Sequence, residues 1–254
     1  MNDLYRDLAD LYAAAFDWDR SAELDFLRTF FRPDDRLLEP MCGPGYLLEA
    51  FARSGAVTVG VDNSPAMLAI AHARFARAGL EGRWLEADVT DFALDEACTG
   101  SVCPLNSVAL LPGVVAMGRH LRAMGQAMHH GSAYLVQLDM ATPEGVLRRL
   151  GAATDLGRWN FTYEGETVSC EWYSTAVDER VDRQVSRFRF PDGRTLVHEH
   201  QMTLWRWESW SALVEVSPFR QEAAFSGDDG RYAGLALDTR LDDRPLTWHY
   251  LTRR

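Results

Sequence analysis

The chain has only four cysteines in 254 residues, and no two of them form a CxxC pair. Cys42, Cys98, Cys103 and Cys170 are scattered, which argues against a zinc site and against a disulfide framework. A reducing cytoplasm is the expected setting. No apolar run approaches the ~20 residues that a membrane helix needs. The opening segment MNDLYRDLADLYAAAFDWDR carries acids and has no clean apolar core, so it does not read as a secretory signal. Internal repeats and low-complexity linkers are absent. So is any cluster of basic residues: 26 bases stand against 37 acids, a net charge of −11, which speaks against a surface that tracks phosphates. The expected partner is therefore a small molecule, with neither nucleic acid nor membrane. No GKS or GKT occurs, which excludes a Walker-type phosphate loop.

What is present is an ordinary globular balance, 47% hydrophobic and 25% charged. The first 140 or so residues alternate short apolar strands with amphipathic helices, the pattern of a parallel α/β sheet. Leucines and aromatics at helical spacing predict helix from Asp3 to Phe31. Strands are expected at Arg36–Pro40, Val57–Asp62, Arg83–Asp88, near Gly100–Leu105 and at Ser132–Met140. Helices are expected from Tyr46 to about Ser54, after the cap Asn63 or Ser64 with Pro65 in first position, and over Gly113–His129. Beyond Met140 the period changes to two. Thr167–Ala176, Arg183–Phe190 and Thr195–Arg206 read as antiparallel hairpins, with Pro191-Asp192-Gly193 as a turn. A helix at about Glu208–Val216 and strands at Phe219–Ser226 and Leu246–Arg253 complete the reading. The fold class is α/β: one doubly wound domain over residues 1–254, with an antiparallel β insertion at about 160–206.

The stretch RLLEPMCGPGYLLEAF carries the chemistry. A strand, a tight glycine turn and a helix bring backbone close to a ligand and aim helix N–H groups at it. Asp62 ends the next strand, placed to accept both hydroxyls of a ribose. A dinucleotide fingerprint needs a third glycine three residues after the second; that position is Leu48, so a nicotinamide oxidoreductase is excluded.

These residues resemble the class I S-adenosylmethionine-dependent methyltransferases, of small-molecule type and similar to amino-sugar N-methyltransferases. Their first motif is an acid followed by three glycines at alternate positions; here it reads Glu39, Met41, Gly43, Gly45, with Met41 in place of the first glycine. VGVDNSPAMLAIAHAR looks like the second motif, which implies Asp62 at the ribose and Asn63 and Met67 beside the adenosine. EADVTDF looks like the third, with Asp88 near the adenine amino group and Val89 on the ring. CPLNSVALL resembles the segment after the fourth strand, where Leu105, Asn106 and Ser107 border cofactor and acceptor. LWRWESWSALVEVSPF resembles the late helix leading into the sixth strand of a seven-stranded sheet. The resemblance further implies a closing N-terminal helix in which Tyr5 and Tyr12 act, with Phe16 and Trp18 as an apolar lid. S-adenosylmethionine is thus the expected cofactor and methyl transfer to a nitrogen or oxygen of a small molecule the expected reaction.

No general base has a clear place in the sequence. His198 and His200 share a strand face, without a third ligand at metal spacing. His129 and His130 are expected at a helix C-terminus, where a cationic ring is favoured. Leu110 and Leu111 stand where relatives place a polar or aromatic group. Trp172, Trp205, Trp207 and Trp210 fit either cross-strand packing or a pocket wall. The hairpins are expected to roof the acceptor site, to join two copies as a homodimer, or both. The alternatives are a binding protein without catalysis and, less well supported, a nucleic-acid methyltransferase. For the latter, Cys103-Pro104-Leu105-Asn106 is not the Asn/Asp-Pro-Pro-aromatic loop that attack by an exocyclic amine requires.

Overall fold

The computed structural model describes residues 4–141, 154–176, 178, 180–226, 232–238, 241 and 247–254. Asp3 and Leu246, expected ends of a helix and a strand, lie outside them. Strands β1 (Arg36–Pro40), β2 (Val57–Asp62), β3 (Arg83–Glu86), β4 (Cys98–Cys103) and β5 (Met128–Gln137) form the parallel half of one sheet. Their register runs β3-β2-β1-β4-β5, so β1 has β2 on one side and β4 on the other. Chain direction from β1 therefore diverges to opposite sides, and a crevice opens beyond the carboxyl ends of β1 and β4.

Helices α3 (Tyr46–Ala52), α4 (Pro65–Ala78) and α5 (Gly113–Ala127) connect these strands. The start and stop of α4 follow from local chemistry. Ser64 accepts from the Met67 N–H, Pro65 stands in the first turn, and Gly79 ends the helix at φ 67°. The remaining strands, β10 (Phe219–Ser226), β11 (Ala233–Leu235) and β12 (Trp248–Arg253), join antiparallel, with β12 lying between β5 and β10. The seven expected strands are thus extended by an eighth, the three-residue β11 at the edge, too short to show a period in the sequence. A helix α6 (Trp207–Glu215) precedes β10.

A separate four-stranded antiparallel sheet, β6 (Thr154–Tyr163), β7 (Glu166–Ala176), β8 (Val181–Arg189) and β9 (Thr195–Thr203), is inserted after β5. Three of its strands match the period-two runs; β6 went unread. One end of its inward face is apolar, with Val168, Cys170, Phe188 and Phe190 packed on the N-terminal helix α1 (Ala9–Ala15). The Trp159 indole N–H donates to Ala15 O at 2.7 Å. On the other face Glu171 draws Arg158, Arg187 and Arg189 into one ion-pair group. The aromatic alternation is therefore covered within the chain itself.

Two expectations of secondary structure need correction. The N-terminal segment is two short helices, α1 and α2 (Ser21–Leu27), because Asp19 accepts from the Ser21 N–H and starts a new helix after Trp18. His129 and His130 lie in β5, exposed, and not at a helix end: α5 stops at Ala127 and the chain turns directly into strand.

Gly60 in β2 sets how closely the sheet packs on Trp84 and Cys42. A Cβ there would stand 2.7 Å from Cys42 Sγ and from two atoms of the Trp84 ring. Gly60→Ala is expected to destabilise the fold by about 1–3 kcal/mol, the range for forcing a methyl into a filled core. Urea denaturation checks it; an unchanged midpoint would show that the indole yields freely.

Candidate active site

A cavity of about 580 Å³ occupies the crevice above β1, β2 and β4. That size lies within the usual range for small-molecule sites. Its floor holds Met41, Gly43, Asp62, Asn63, Met67, Asp88, Val89 and Leu105, from the loops at the carboxyl ends of the parallel strands. Tyr12 and Phe16 of the N-terminal segment close one wall, their rings stacked at 4.5 Å. Trp172, Gln184, Ser186, His200 and Met202 descend from the inserted sheet as the roof.

The turn after β1 has the backbone that its glycines allow. Gly43 and Gly45 have φ of 49° and 74°, and Met41 also takes a left-handed φ of 56°. A side chain at that φ is strained by about 1–2 kcal/mol, so Met41 is held there by its surroundings. The Asp62 carboxylate ties the turn to the next loop. Gly43 N–H donates to Oδ2 at 2.8 Å and Ser64 N–H to Oδ1 at 2.9 Å. Burial raises the Asp62 carboxyl above its ordinary range, partly opposed by the N–H groups of Gly43, Ser64 and Asn63. Asp88 behaves oppositely: the N–H and side chain of Thr90 hold its carboxyl below the ordinary range. The fully buried His120 bridges Val89 O at 3.0 Å and the Tyr134 hydroxyl at 2.9 Å, which fixes the loop carrying Val89.

Glu39 lies apart from the main floor. It borders a small cavity of about 30 Å³ that shares Tyr12, Met41, Gly43, Leu105 and Ser107 with the large one. Glu39 is 3% exposed, and its Oε2 has no hydrogen-bond partner among the described residues. Burial pushes its carboxyl well above the ordinary range, and the charge of Arg20 opposes this. Arg20 borders the same small cavity, donates to Phe16 O at 2.8 Å and stacks over Trp18 and Tyr46. The sequence reading missed Arg20; a lone arginine between two helices full of apolar residues was the available signal.

Two expected site residues stand elsewhere. Gly45 lines neither cavity; it caps α3, where a Cβ would come within 3.1 Å of Trp84 and 3.3 Å of Ala71. Asn106 is turned aside at φ 55°, and its Oδ1 accepts from the Asp139 N–H at 3.1 Å. It braces the chain leaving β5, while Leu105 and Ser107 face the cavity. The tryptophans also divide. Trp172 reaches the cavity, whereas Trp205 and Trp210 are fully buried core residues against the main sheet and Trp207 packs beside them. Tyr5 meets Tyr12, His198 and His200 by ring contacts at 5.2, 5.6 and 6.3 Å. Among the described residues no three His, Cys, Asp or Glu side chains are grouped to hold a metal ion. No helix of these residues is long and apolar enough to cross a membrane.

A family model described as a methyltransferase domain matches residues 37–125, the span from β1 through most of α5. No curated protein matches the chain. Among solved structures, an S-adenosylmethionine-dependent methyltransferase of Clostridium acetobutylicum superposes with a TM-score of 0.73 at 16% identity, over 97% of each chain. An amino pentose methyltransferase of Micromonospora echinaspora, solved with S-adenosylmethionine bound, gives 0.72 at 23% identity over 100% of both chains. A sugar N-methyltransferase from Streptoalloteichus gives 0.72 at 21%, over 100% of this chain and 94% of that one. The chain has the fold of class I S-adenosylmethionine-dependent methyltransferases, Rossmann-like with an antiparallel insertion.

Proposed function

We propose that this chain binds S-adenosylmethionine and transfers its methyl group to an amine or hydroxyl of a small-molecule acceptor. The observation that carries the reading is the shared cavity: its floor is made by the strand-end loops and its roof by the inserted sheet. The residues fit the donor. Asp62 has lone pairs left for a ribose diol, and Val89 and Met67 offer apolar faces to a purine. Glu39 and Arg20, an acid and a base bordering one small cavity, suit the ammonium and carboxylate of the methionine moiety.

When bound, the donor supplies a sulfonium methyl: the acceptor's lone pair forms the new bond to carbon as the C–S bond breaks, sulfur keeps that electron pair, and the acceptor releases its proton. The protein's own part is to hold the reactants in line and keep water out. Tyr12 and Phe16 serve as the apolar wall over the donor. Burial pushes the Tyr12 hydroxyl up to about 12, so it stays neutral. Amino sugars are the first acceptor class to screen, since relatives of this fold are named for that chemistry.

Binding of S-adenosylmethionine is expected to raise the unfolding temperature. At a hundredfold excess over Kd the gain is about 2.7 kcal/mol. A calorimetric titration showing no heat of binding at millimolar ligand would remove the basis of the proposal.

A further inference from the structure

α5 carries a histidine into the apolar core. His120 is fully buried, on the same helix face as Met117, Leu121 and Met124. An apolar residue there would be cheaper to bury, because a ring in that place must have both nitrogens matched. Both are. Val89 O is a carbonyl oxygen and can only accept, so His120 Nδ1 carries the hydrogen and donates at 3.0 Å. Nε2 is then bare and accepts the Tyr134 O–H at 2.9 Å. Burial pushes the ring down to about 4, which keeps it in this neutral form near pH 7. Tyr134 stands in β5 and is also fully buried. The pair therefore runs from the middle of the sheet through α5 to the loop after β3. That loop belongs to the cavity floor: Asp88, Val89 and Thr90 line the cavity, whereas His120 and Tyr134 do not. Within the loop the hydrogen bonds are local. Ala87 N–H donates to Asp62 O at 3.1 Å, Thr90 N–H to Asp88 Oδ1 at 2.8 Å and Asp91 N–H to Asp88 O at 2.9 Å. His120 adds a grip from another element, on the carbonyl between them.

Building on the methyl-donor reading above, we infer that His120, oriented by Tyr134, is a positioning residue for the donor's purine: it sets where Asp88 and Val89 stand, and so sets affinity and purine selectivity without touching the ligand. The chemistry of the loop gives that selectivity a direction. The Asp88 carboxyl, held below its ordinary range by Thr90, is ionised and can only accept. It suits the amino group of adenine and disfavours hypoxanthine, which presents a carbonyl oxygen at the same place. The preference depends on position, because a hydrogen bond weakens steeply once donor and acceptor leave the range of about 2.7–3.2 Å. Val89, the next residue, moves with Asp88. A second buried histidine supplies the contrast. His249 in β12 is fully buried as well, with Nε2 3.1 Å from Leu138 O and Nδ1 2.8 Å from Gln221 Nε2. His249, Leu138 and Gln221 do not line the cavity. His249 is thus tied as firmly as His120, but to residues that the purine does not meet.

The test uses the full chain and calorimetric Kd values for S-adenosylhomocysteine and for S-inosylhomocysteine, which differs from it only in the purine. Wild type is expected to prefer the adenine ligand by about tenfold, the scale of one hydrogen bond to a charged group. His120→Leu is expected to raise the Kd for S-adenosylhomocysteine by about tenfold and to cut the preference for adenine by about threefold or more, as the loop loses its preorganised place. His120→Asn, whose amide N–H stands where Nδ1–H stood, is expected to keep both values near wild type. Tyr134→Phe keeps the aromatic ring but frees Nε2, and is expected to fall between. His249→Asn, which drops the N–H to Leu138 O, is the control: its urea midpoint is expected to fall while both Kd values stay unchanged. An unchanged preference in His120→Leu overturns the inference, and Tyr134→Phe decides in its place if circular dichroism shows the leucine variant unfolded. So does an asparagine variant that behaves like leucine, an equal loss of preference in His249→Asn, or a wild type that binds the two purines alike. Failure of wild type to bind either ligand is a separate outcome, which overturns the methyl-donor reading and the role of His120 with it.

Discussion

Replacing Asp62 by alanine is expected to weaken S-adenosylmethionine binding by roughly a hundredfold to ten-thousandfold while the chain stays folded. The estimate takes two charge-assisted hydrogen bonds to a ribose, each worth ~1.5–3 kcal/mol, at about 1.4 kcal/mol per tenfold in affinity. The structure adds a second loss. The same carboxylate receives the N–H of Gly43 and of Ser64, so alanine also releases the glycine turn from the adjoining loop. Preorganisation of that turn disappears with the contact. The fold itself loses less, because burial already disfavours the ionised form of Asp62. Asp62→Asn retains one accepting oxygen and is expected to fall between wild type and alanine. Titration calorimetry with circular dichroism as the folding control decides it; an alanine variant with wild-type affinity would mean that the ribose is held elsewhere.

Stability is expected to fall by several kcal/mol between pH 6.5 and pH 4, well before general acid denaturation. His120, His249 and His200 are pushed down from 6.5 to about 4, first of all by burial. The sign follows from which state takes the proton. Below about 6.5 the unfolded chain protonates these rings, whereas the folded chain resists until about 4. The stability they contribute is therefore complete above 6.5 and lost as pH falls through that window. Each of the two fully buried rings contributes up to about 3 kcal/mol, from about 1.4 kcal/mol per unit. His120 holds Val89 O and Tyr134, and His249 holds Leu138 O and Gln221, so their protonation also breaks buried hydrogen bonds.

Glu39 and Asp62 act in the opposite sense. Their folded values are raised, so the folded state gains protons above the ordinary carboxylate range and is stabilised as pH falls. Glu39→Gln removes that offset. It is expected to stabilise the protein at pH 7, by sparing the cost of burying an ionisable carboxyl, and to steepen the loss toward pH 4. Urea midpoints for both proteins at pH 7, 5.5 and 4.5 measure this. A wild-type midpoint that is flat across the window would show that the histidines protonate without unfolding.

How far the sequence reaches can be followed residue by residue. Arg36–Pro40, Val57–Asp62 and Phe219–Ser226 emerge with the bounds read from their patterns, as does the close of α4 at Gly79. These are short-range matters: the period of apolar residues, a capping hydroxyl, a proline in the first turn and a glycine at positive φ act within a few residues of one another. The turn around Gly43 and the acid at the end of β2 belong to the same class, which is why the floor of the cavity was legible. β6 carries the same alternation in Trp159, Phe161 and Tyr163, but over only five residues, because a bulge at Asp155–Gly157 breaks the period before them.

The rest was decided by contacts between residues far apart in the chain. Nothing near Asn106 distinguishes a side chain that faces the cavity from one that accepts the Asp139 N–H, 33 residues later. Trp172 and Trp205 have similar local patterns, yet one borders the cavity and the other is fully buried behind the main sheet, because the chain leaves the inserted sheet between them. Gln184 looks like an ordinary polar residue of a hairpin until the sheet is laid over the crevice, and then it is a buried acceptor opposite His200. Arg20 becomes a partner for Glu39 only when the segment after α1 comes to border the small cavity beside Glu39. The sequence by itself determined the parallel sheet, its glycine turn and the acid at the end of β2, since those depend on local backbone preference. Which side chains roof the cavity was decided by tertiary packing alone, because burial is a property of the surface that comes to lie opposite.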